Sequence, residues 1–195
     1  MPSTNQKGSL RIIAGKWKRH LIHFVGPADL RPTSNAIRET LFNWLTPVVQ
    51  GATCLDLFSG SGALGFEAAS RGAHRVHLVD DNHVAFKQLL RTREDLCAEQ
   101  VHIHYKDALN FLDMCDHQFN IVFLDPPFQS CLSEEVCSIL ENSNILLDQG
   151  LVYLERPKKG SSDFLSRSWE MYKENATGSI IYGLYKLNKK LKAAS

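Results

Sequence analysis

Between residues 52 and 156 apolar positions gather into short uninterrupted runs, separated by stretches where they recur at helical spacing. Runs of β-branched or bulky residues without polar alternation mark strands buried on both faces. TCLDLF (53–58) therefore predicts a strand, followed by a Gly-rich turn and a helix to about Ala73. RVHLVD (75–80) predicts a second strand, and 82–98 a long helix with Val84, Leu89, Leu90 and Leu96 as apolar positions. VHIHY (101–105), a short helix near 107–114 and FNIVFL (119–124) continue the alternation. A helix at 132–141 leads into GLVYLER (150–156), and 167–187 reads as two strands joined by a turn at Asn175–Gly178. Strands alternating with helices predict a parallel sheet with helices on both faces, and the closing pair adds an antiparallel edge.

Ahead of this core the pattern changes. SLRIIAGKWKRHLIHF (9–24) holds two strand-like runs around Gly15 and Lys16, a predicted hairpin carrying Arg11, Lys16, Lys18 and Arg19. On a strand Lys16 and Lys18 share one face and Trp17 and Arg19 the other, so Trp17 is expected to pack inward. RPTSNAIRETLFNWLTPVV (31–49) predicts a helix capped by Thr33 or Ser34, with Ile37, Leu41, Trp44, Leu45 and Val48 in one apolar stripe. The expected organisation is a basic extension over 1–50 packed on a core over 51–187, then a frayed basic tail over 188–195.

Composition changes this little. A chain of 195 residues, 44% hydrophobic and 22% charged, suits one domain with a substantial core. No run reaches membrane-span length and the N-terminus lacks the apolar region of a signal peptide, so a cytoplasmic location away from the membrane is expected. Five cysteines without a Cys-x-x-Cys argue against a disulfide framework and a zinc knuckle. Charge is more telling. Although the net charge is +1, residues 1–50 hold seven Lys/Arg against two Asp/Glu, 51–150 six against fifteen, and 151–195 nine against four. An acidic middle between basic ends suits a small-molecule pocket whose rim faces a polyanion.

Two motifs carry the chemistry. In LDLFSGSGALGFEAA (55–69), Gly60-x-Gly62-x-x-Gly65 follows a strand and opens a helix, and Asp80 ends the next strand twenty residues beyond Gly60. Taken literally this is a dinucleotide fingerprint, in which the glycines admit the ligand and the acid holds ribose hydroxyls. The same geometry serves S-adenosylmethionine, whose carboxylate can use the helix N-terminus. FNIVFLDPPFQ (119–129) decides between them: a nicotinamide oxidoreductase has no use for Asp-Pro-Pro-Phe at this strand, whereas an enzyme methylating an exocyclic amine has. Such an amine is a poor nucleophile because its lone pair is delocalised into the base. The Asp125 carboxylate and the Pro126 carbonyl can accept its two N–H groups and direct the lone pair toward a sulfonium methyl. Pro126 and Pro127 stiffen the backbone, and Phe128 offers a stacking face. Elsewhere Asp-Pro dipeptides merely begin turns. His102 and His104 alternate on one strand face with no carboxylate or Cys spacing beside them, so structural histidines and no metal are expected. Arg31 and Arg38 flank RPTSNAIR, where either can meet a cofactor carboxylate or an RNA phosphate.

Together these segments resemble the bacterial 16S rRNA (guanine-N2) methyltransferase D family, within the Rossmann-like class I S-adenosylmethionine methyltransferases. The resemblance runs from about Leu10 to Leu187. It rests on RIIAGKWK, LRPTSNAIRETLFNWL, CLDLFSGSGALGFEAASRGA, LVDDN, LDPPF and TGSIIYGLYKL in that order, and the RPT…RETLFN element is its more family-specific part. It implies an α/β fold with a mostly parallel seven-stranded sheet and a small basic N-terminal hairpin. It implies methylation of the exocyclic N2 of a specific guanine in 16S rRNA, with S-adenosyl-L-methionine as cofactor. By position it puts Asp56, Phe58, Gly60, Ser61 and Gly62 at the methionine end of the cofactor, Asp80 at the ribose, and Asp107 with Ala108 at the adenine edge. Arg38 belongs to the 31–40 element that closes over the cofactor. Asp125, Pro126, Pro127 and Phe128 form the methyl-transfer site, and Arg11, Lys16, Lys18 and Arg19 face RNA. Phe128 stands where Tyr is common, Asp80 where Glu is usual, and Arg19 where a Gly is expected. The implied partner is 16S rRNA, in the 30S subunit or an assembly intermediate, met by a monomer. An adenine-N6 methyltransferase shares the Asp-Pro-Pro motif, and a non-enzymatic assembly factor retaining the cofactor pocket is the alternative from another class.

Overall fold

The computed structural model describes residues 6–26, 33–126, 132–158 and 165–188. The chain divides into two units, Met1–Ala108 and Leu109–Ser195. In the first, β1 (Gln6–Arg11) and β2 (Leu21–Gly26) pair antiparallel with Leu10 opposite Ile22, both buried. Helix α1 (Asn35–Val49) is capped by Ser34, whose side chain accepts the Ile37 N–H. Its buried line is Ile37, Leu41, Leu45 and Val49 with Phe42, while Val48 is 45% exposed. The stripe follows a strict four-residue spacing, which carries it to Val49 and rotates Val48 to solvent.

Strand β3 (Thr53–Asp56) leads through the Gly-rich turn to α2 (Ala63–Ser70), then β4 (Arg75–Asp80), α3 (His83–Asp95) and β5 (Val101–Tyr105). The three strands are parallel in the order β5-β4-β3, with Leu55 opposite His77 and Leu78 opposite Ile103. Cys54, Leu55, Val76, Leu78 and Val79 are at or near zero exposure, the uninterrupted burial that the sequence pattern predicts. β3 stops at Asp56, not residue 58, because the Ser59 hydroxyl donates to the Asp56 carbonyl and turns the chain. Asn82 caps α3 through the Val84 and Ala85 N–H groups. Val84, expected on the apolar side, is 43% exposed in that first turn, while Leu89 and Thr92 are buried.

The second unit opens with α4 (Ala108–Asp113), which starts at the boundary, followed by β6 (Phe119–Leu124) and α5 (Leu132–Asn142). Strands β7 (Leu146–Pro157), β8 (Trp169–Thr177) and β9 (Ile180–Leu187) complete it in the order β6-β7-β9-β8. β6 and β7 are parallel, whereas β9 runs antiparallel to both β7 and β8. β7 begins four residues before the expected start, since Gln149 and Gly150 form a bulge inside the strand and not a turn before it. Strands β3 to β9 belong to one seven-stranded, mostly parallel sheet.

The segment between β1 and β2 departs from expectation. Residues 12–20 form a turning loop, so Lys16, Trp17, Lys18 and Arg19 do not alternate across a strand. The cause lies in α2. The Glu67 carboxylate accepts the Ile13 and Ala14 N–H groups at 2.8 and 3.1 Å. The Ser70 carbonyl accepts Lys16 N–H at 2.7 Å, and the Ser70 hydroxyl accepts Trp17 N–H and donates to the Ala14 carbonyl. Backbone groups that would have formed a hairpin ladder are spent on a helix more than fifty residues away.

Candidate active site

The Gly-rich turn shows what each glycine does. Gly65 packs α2 against the sheet: a Cβ there would lie 2.1 Å from Leu78 Cδ2. Gly62, at φ +78, caps α2 with Phe66 and Leu89 already against the place a side chain would take. Gly60, at φ +49, has nothing within 4 Å of that place. Of the three, only Gly60 leaves room for a ligand. A second glycine that faces the core instead of a pyrophosphate is what separates this turn from a dinucleotide fingerprint.

Two carboxylates organise the turn. Asp80 accepts Gly60 N–H through one oxygen at 2.7 Å and Asn82 N–H through the other at 2.9 Å, so it ties the end of β4 to the loop. Burial raises its pKa and those two N–H groups oppose the shift. Asp56, only 3% exposed, accepts Gly65 N–H at 2.9 Å. Burial pushes its carboxyl up to about 7, opposed by the Gly65 N–H and reinforced by the charge of Asp80. None of those three influences is a cation, so the socket suits a positively charged ligand group. Ser61 is buried and Phe58 half-buried in the same turn. Asp107 and Ala108 stand at the end of β5 and the first residue of α4, and Lys106 N–H donates to the Asp80 carbonyl.

In the second unit Leu124 is fully buried, Asp125 half-buried and Pro126 buried. The acid therefore stands where a rigid strand ends and a proline begins. Pro127 and Phe128 lie outside the described residues, as does Arg31.

The family model described as "Conserved hypothetical protein 95" matches residues 10–186. Ribosomal RNA small subunit methyltransferase D of Escherichia coli strain K12 is 38% identical over 184 residues, covering 94% of this chain and 93% of that protein. The solved structure of the Escherichia coli protein yhhF superposes with a TM-score of 0.85 at 36% identity, covering 93% of this chain and 99% of that one. The chain belongs to the small subunit methyltransferase D family. A protein solved in complex with SAH shares the fold alone, at 15% identity and a TM-score of 0.71, covering 96% of this chain and 57% of that one.

Other residues of this methyltransferase fall into place differently from expectation. Arg38, expected at the cofactor or RNA, is 1% exposed. Its Nη2 donates to the Arg11 carbonyl at 3.0 Å and to Asn35 Oδ1 at 2.6 Å, and its Nη1 lies 3.9 Å from Glu67. Burial lowers its pKa while Glu67 and Glu39 raise it. Arg38 thus braces the N-terminal segment. Arg11, Lys16, Lys18 and Arg19 are exposed, with Lys16 Nζ 5.3 Å over the half-buried Trp17 ring. Arg19 sits at φ +75, which explains why a glycine suits that position.

Two features escaped the sequence. Glu67, fully buried, accepts Arg71 Nε at 2.7 Å besides its two backbone donors. Inside LGFEAAS nothing distinguishes it from a solvated helix residue. Tyr105, opposite Asp80 in the ladder and 52% exposed, stands with its ring 5.3 Å from Phe86 and 5.6 Å from His83. The spacing of His83 and Phe86, one turn apart on α3, was the available signal for this aromatic flank. His104 Nε2 lies 3.1 Å from Nδ1 of the buried His77. Among the described residues no group of three or more His, Cys, Asp or Glu is arranged to hold a metal. Among them, too, no helix is long and apolar enough to cross a membrane.

Proposed function

We propose that this methyltransferase methylates the exocyclic N2 of a guanine in 16S rRNA, of the G966 type, acting as a monomer in the bacterial cytoplasm on the 30S subunit or an assembly intermediate. S-adenosyl-L-methionine is the cofactor, and the residues present fit it. Gly60 leaves open space, Asp80 is fixed by two backbone N–H groups with lone pairs to spare, and the buried Asp56 carboxyl has no cation among its influences. Asp56 with the backbone from Phe58 to Gly62 holds the methionine end, Asp80 the ribose, and Asp107 with Ala108 the adenine edge. When bound, the cofactor supplies a methyl group made electrophilic by its sulfonium.

The observation that carries the reading is Asp125 at the mouth of a fully buried strand, locked by the proline that follows. A carboxylate and a carbonyl held there accept the two N–H groups of a planar amine and localise its lone pair, an effect of position needing no change in pKa. Pro127 extends the rigid turn, and Phe128 provides the face on which the base stacks. Residues 1–50, with Arg11, Lys16, Lys18 and Arg19, supply the phosphate contacts.

Labelled cofactor offered with 30S particles, naked 16S rRNA and duplex DNA tests this, with the modified nucleoside identified afterwards. The expected product is N2-methylguanosine. N6-methyladenosine overturns it in favour of an adenine methyltransferase, and binding without turnover in favour of an assembly factor. Asp125→Ala is expected to lose transfer by on the order of 100-fold or more while cofactor affinity stays within a few-fold. Asp80→Ala should do the reverse, weakening cofactor binding by roughly 1.5–3 kcal/mol without changing the base that is modified. Calorimetric titration of both variants separates these outcomes.

A further inference from the structure

β6 runs parallel to β7 with Leu124 opposite Leu154, so the chain beyond β6 brings Asp125 level with Glu155. Opposite residues in a ladder point to one face, and the pair two residues back, Phe123 and Tyr153, is in edge contact at 6.4 Å. Asp125, Tyr153 and Glu155 therefore share a face, joined from β9 by Tyr182, which lies opposite Glu155.

Glu155 is 4% exposed and Tyr153 fully buried, an acidic pair that the reaction as derived above leaves unused. The Tyr153 hydroxyl donates to Glu155 Oε1 at 2.6 Å, the length of a hydrogen bond to an ionised carboxylate. Burial, followed by the charge and hydrogen bond of Glu155 and then by Asp125, pushes the Tyr153 hydroxyl far above its ordinary range, so its proton stays on that bond. The neighbouring Arg156 turns to Glu174, at 3.0 Å. The structure thus keeps a negative charge one strand away from Asp125.

We propose that Glu155 is a positioning residue for methyl transfer: its buried charge, held in place by Tyr153, makes Asp125 a stronger proton acceptor. This rests on Asp125 acting on the target amine. In the transfer the amine lone pair forms the N–CH3 bond, the C–S bond breaks with its electron pair left on sulfur, and the positive charge passes to nitrogen. One N–H proton then moves to the Asp125 carboxylate, leaving a neutral methylated amine. A second carboxylate level with Asp125 favours both the charge developing on nitrogen and the arriving proton. Among the described residues, the titratable groups facing the pair are Asp125 from β6 and Tyr182 from β9.

Glu155→Gln keeps the shape and an acceptor for the Tyr153 hydroxyl while removing the charge. In the full chain, assayed with labelled S-adenosyl-L-methionine and the RNA substrate the native protein methylates, kcat is expected to fall about tenfold or more. KM for cofactor and RNA should stay within about twofold, because neither is bound by Glu155. The acid limb of the kcat profile should move to lower pH, since Asp125 loses a like-charged neighbour. Glu155→Asp, which restores the charge, should return the limb toward its native position. Native kcat with an unmoved acid limb in Glu155→Gln overturns the proposal, as does a rate loss that only tracks a fall in Tm. Asp125→Asn separates the two readings. If it is inactive while Glu155→Gln is fully active, only the role of Glu155 fails; if it turns over at the native rate, the role of Asp125 fails with it.

Discussion

Asp56 shows how a single residue trades stability for binding. Its carboxyl, raised from 3.8 to about 7 chiefly by burial, keeps its proton in the folded chain over a pH window where the unfolded chain has lost it. The stability contributed by such a group is fully present below 3.8, declines as pH rises to about 7, and is flat above. At neutral pH and beyond the fold therefore carries a strained buried charge, which a cationic ligand group relieves. Asp56→Asn, which keeps an acceptor for the Gly65 N–H, is expected to be more stable than the native protein at pH 8, by at most about 4 kcal/mol. The gap should close by pH 4. Thermal melts of both proteins without cofactor at the two pH values check this, and identical differences at both would remove burial as the cause. In the presence of S-adenosyl-L-methionine the order at pH 8 should reverse, because ligand binding stabilises only a chain that still binds it.

The elements were legible where burial alone decides them and obscure where a distant partner does. Each of the seven strands of the sheet appears in the sequence as an apolar run, because parallel strands covered on both faces tolerate no polar alternation. The twenty-residue spacing from Gly60 to Asp80 likewise announced a contact that the structure makes at 2.7 Å. The loop of residues 12–20 was not legible, since Ile13, Ala14, Lys16 and Trp17 find their partners on α2. Nor was Arg38, whose burial depends on Glu67 and on a carbonyl of β1. Glu67 is the hub, a buried carboxylate serving two backbone N–H groups and Arg71, with Arg38 at 3.9 Å. Removing one side of a buried ionic cluster leaves the other uncompensated, so Glu67→Ala is expected to cost roughly 3–5 kcal/mol. Glu67→Gln, which keeps the shape, should cost less. Denaturant unfolding gives the magnitude, and amide exchange localises it: Ile13 and Ala14 should lose protection first. A loss near zero would mean that α1 and the hairpin hold without the staple.

At the scale of the molecule, charge is sorted along the chain more sharply than the net +1 suggests. Residues 51–150, with fifteen acids against six bases, repel a polyanion on average, so affinity for RNA must come from the basic flanks. In the N-terminal flank the docked loop presents Lys16, Lys18 and Arg19 together, all exposed, because it is not a strand whose faces alternate. The hydrogen bonds to Glu67 and Ser70 hold that loop in one shape, which lowers the entropy lost when its side chains meet phosphates. Phosphate binding of this kind releases counterions and carries no base identity, which stays with the Asp125 site. Lys16→Ala/Lys18→Ala is therefore expected to raise KM for the RNA substrate and to lower the slope of log affinity against log salt by about one unit for each phosphate no longer neutralised. Cofactor affinity and the identity of the methylated base should be unchanged, and since both side chains are exposed, so should Tm. RNA binding measured across a salt series for the two proteins decides the matter. Parallel slopes with equal affinities would show that the loop only anchors the N-terminal segment to α2, and would leave the basic residues of 151–195 as the RNA-facing flank.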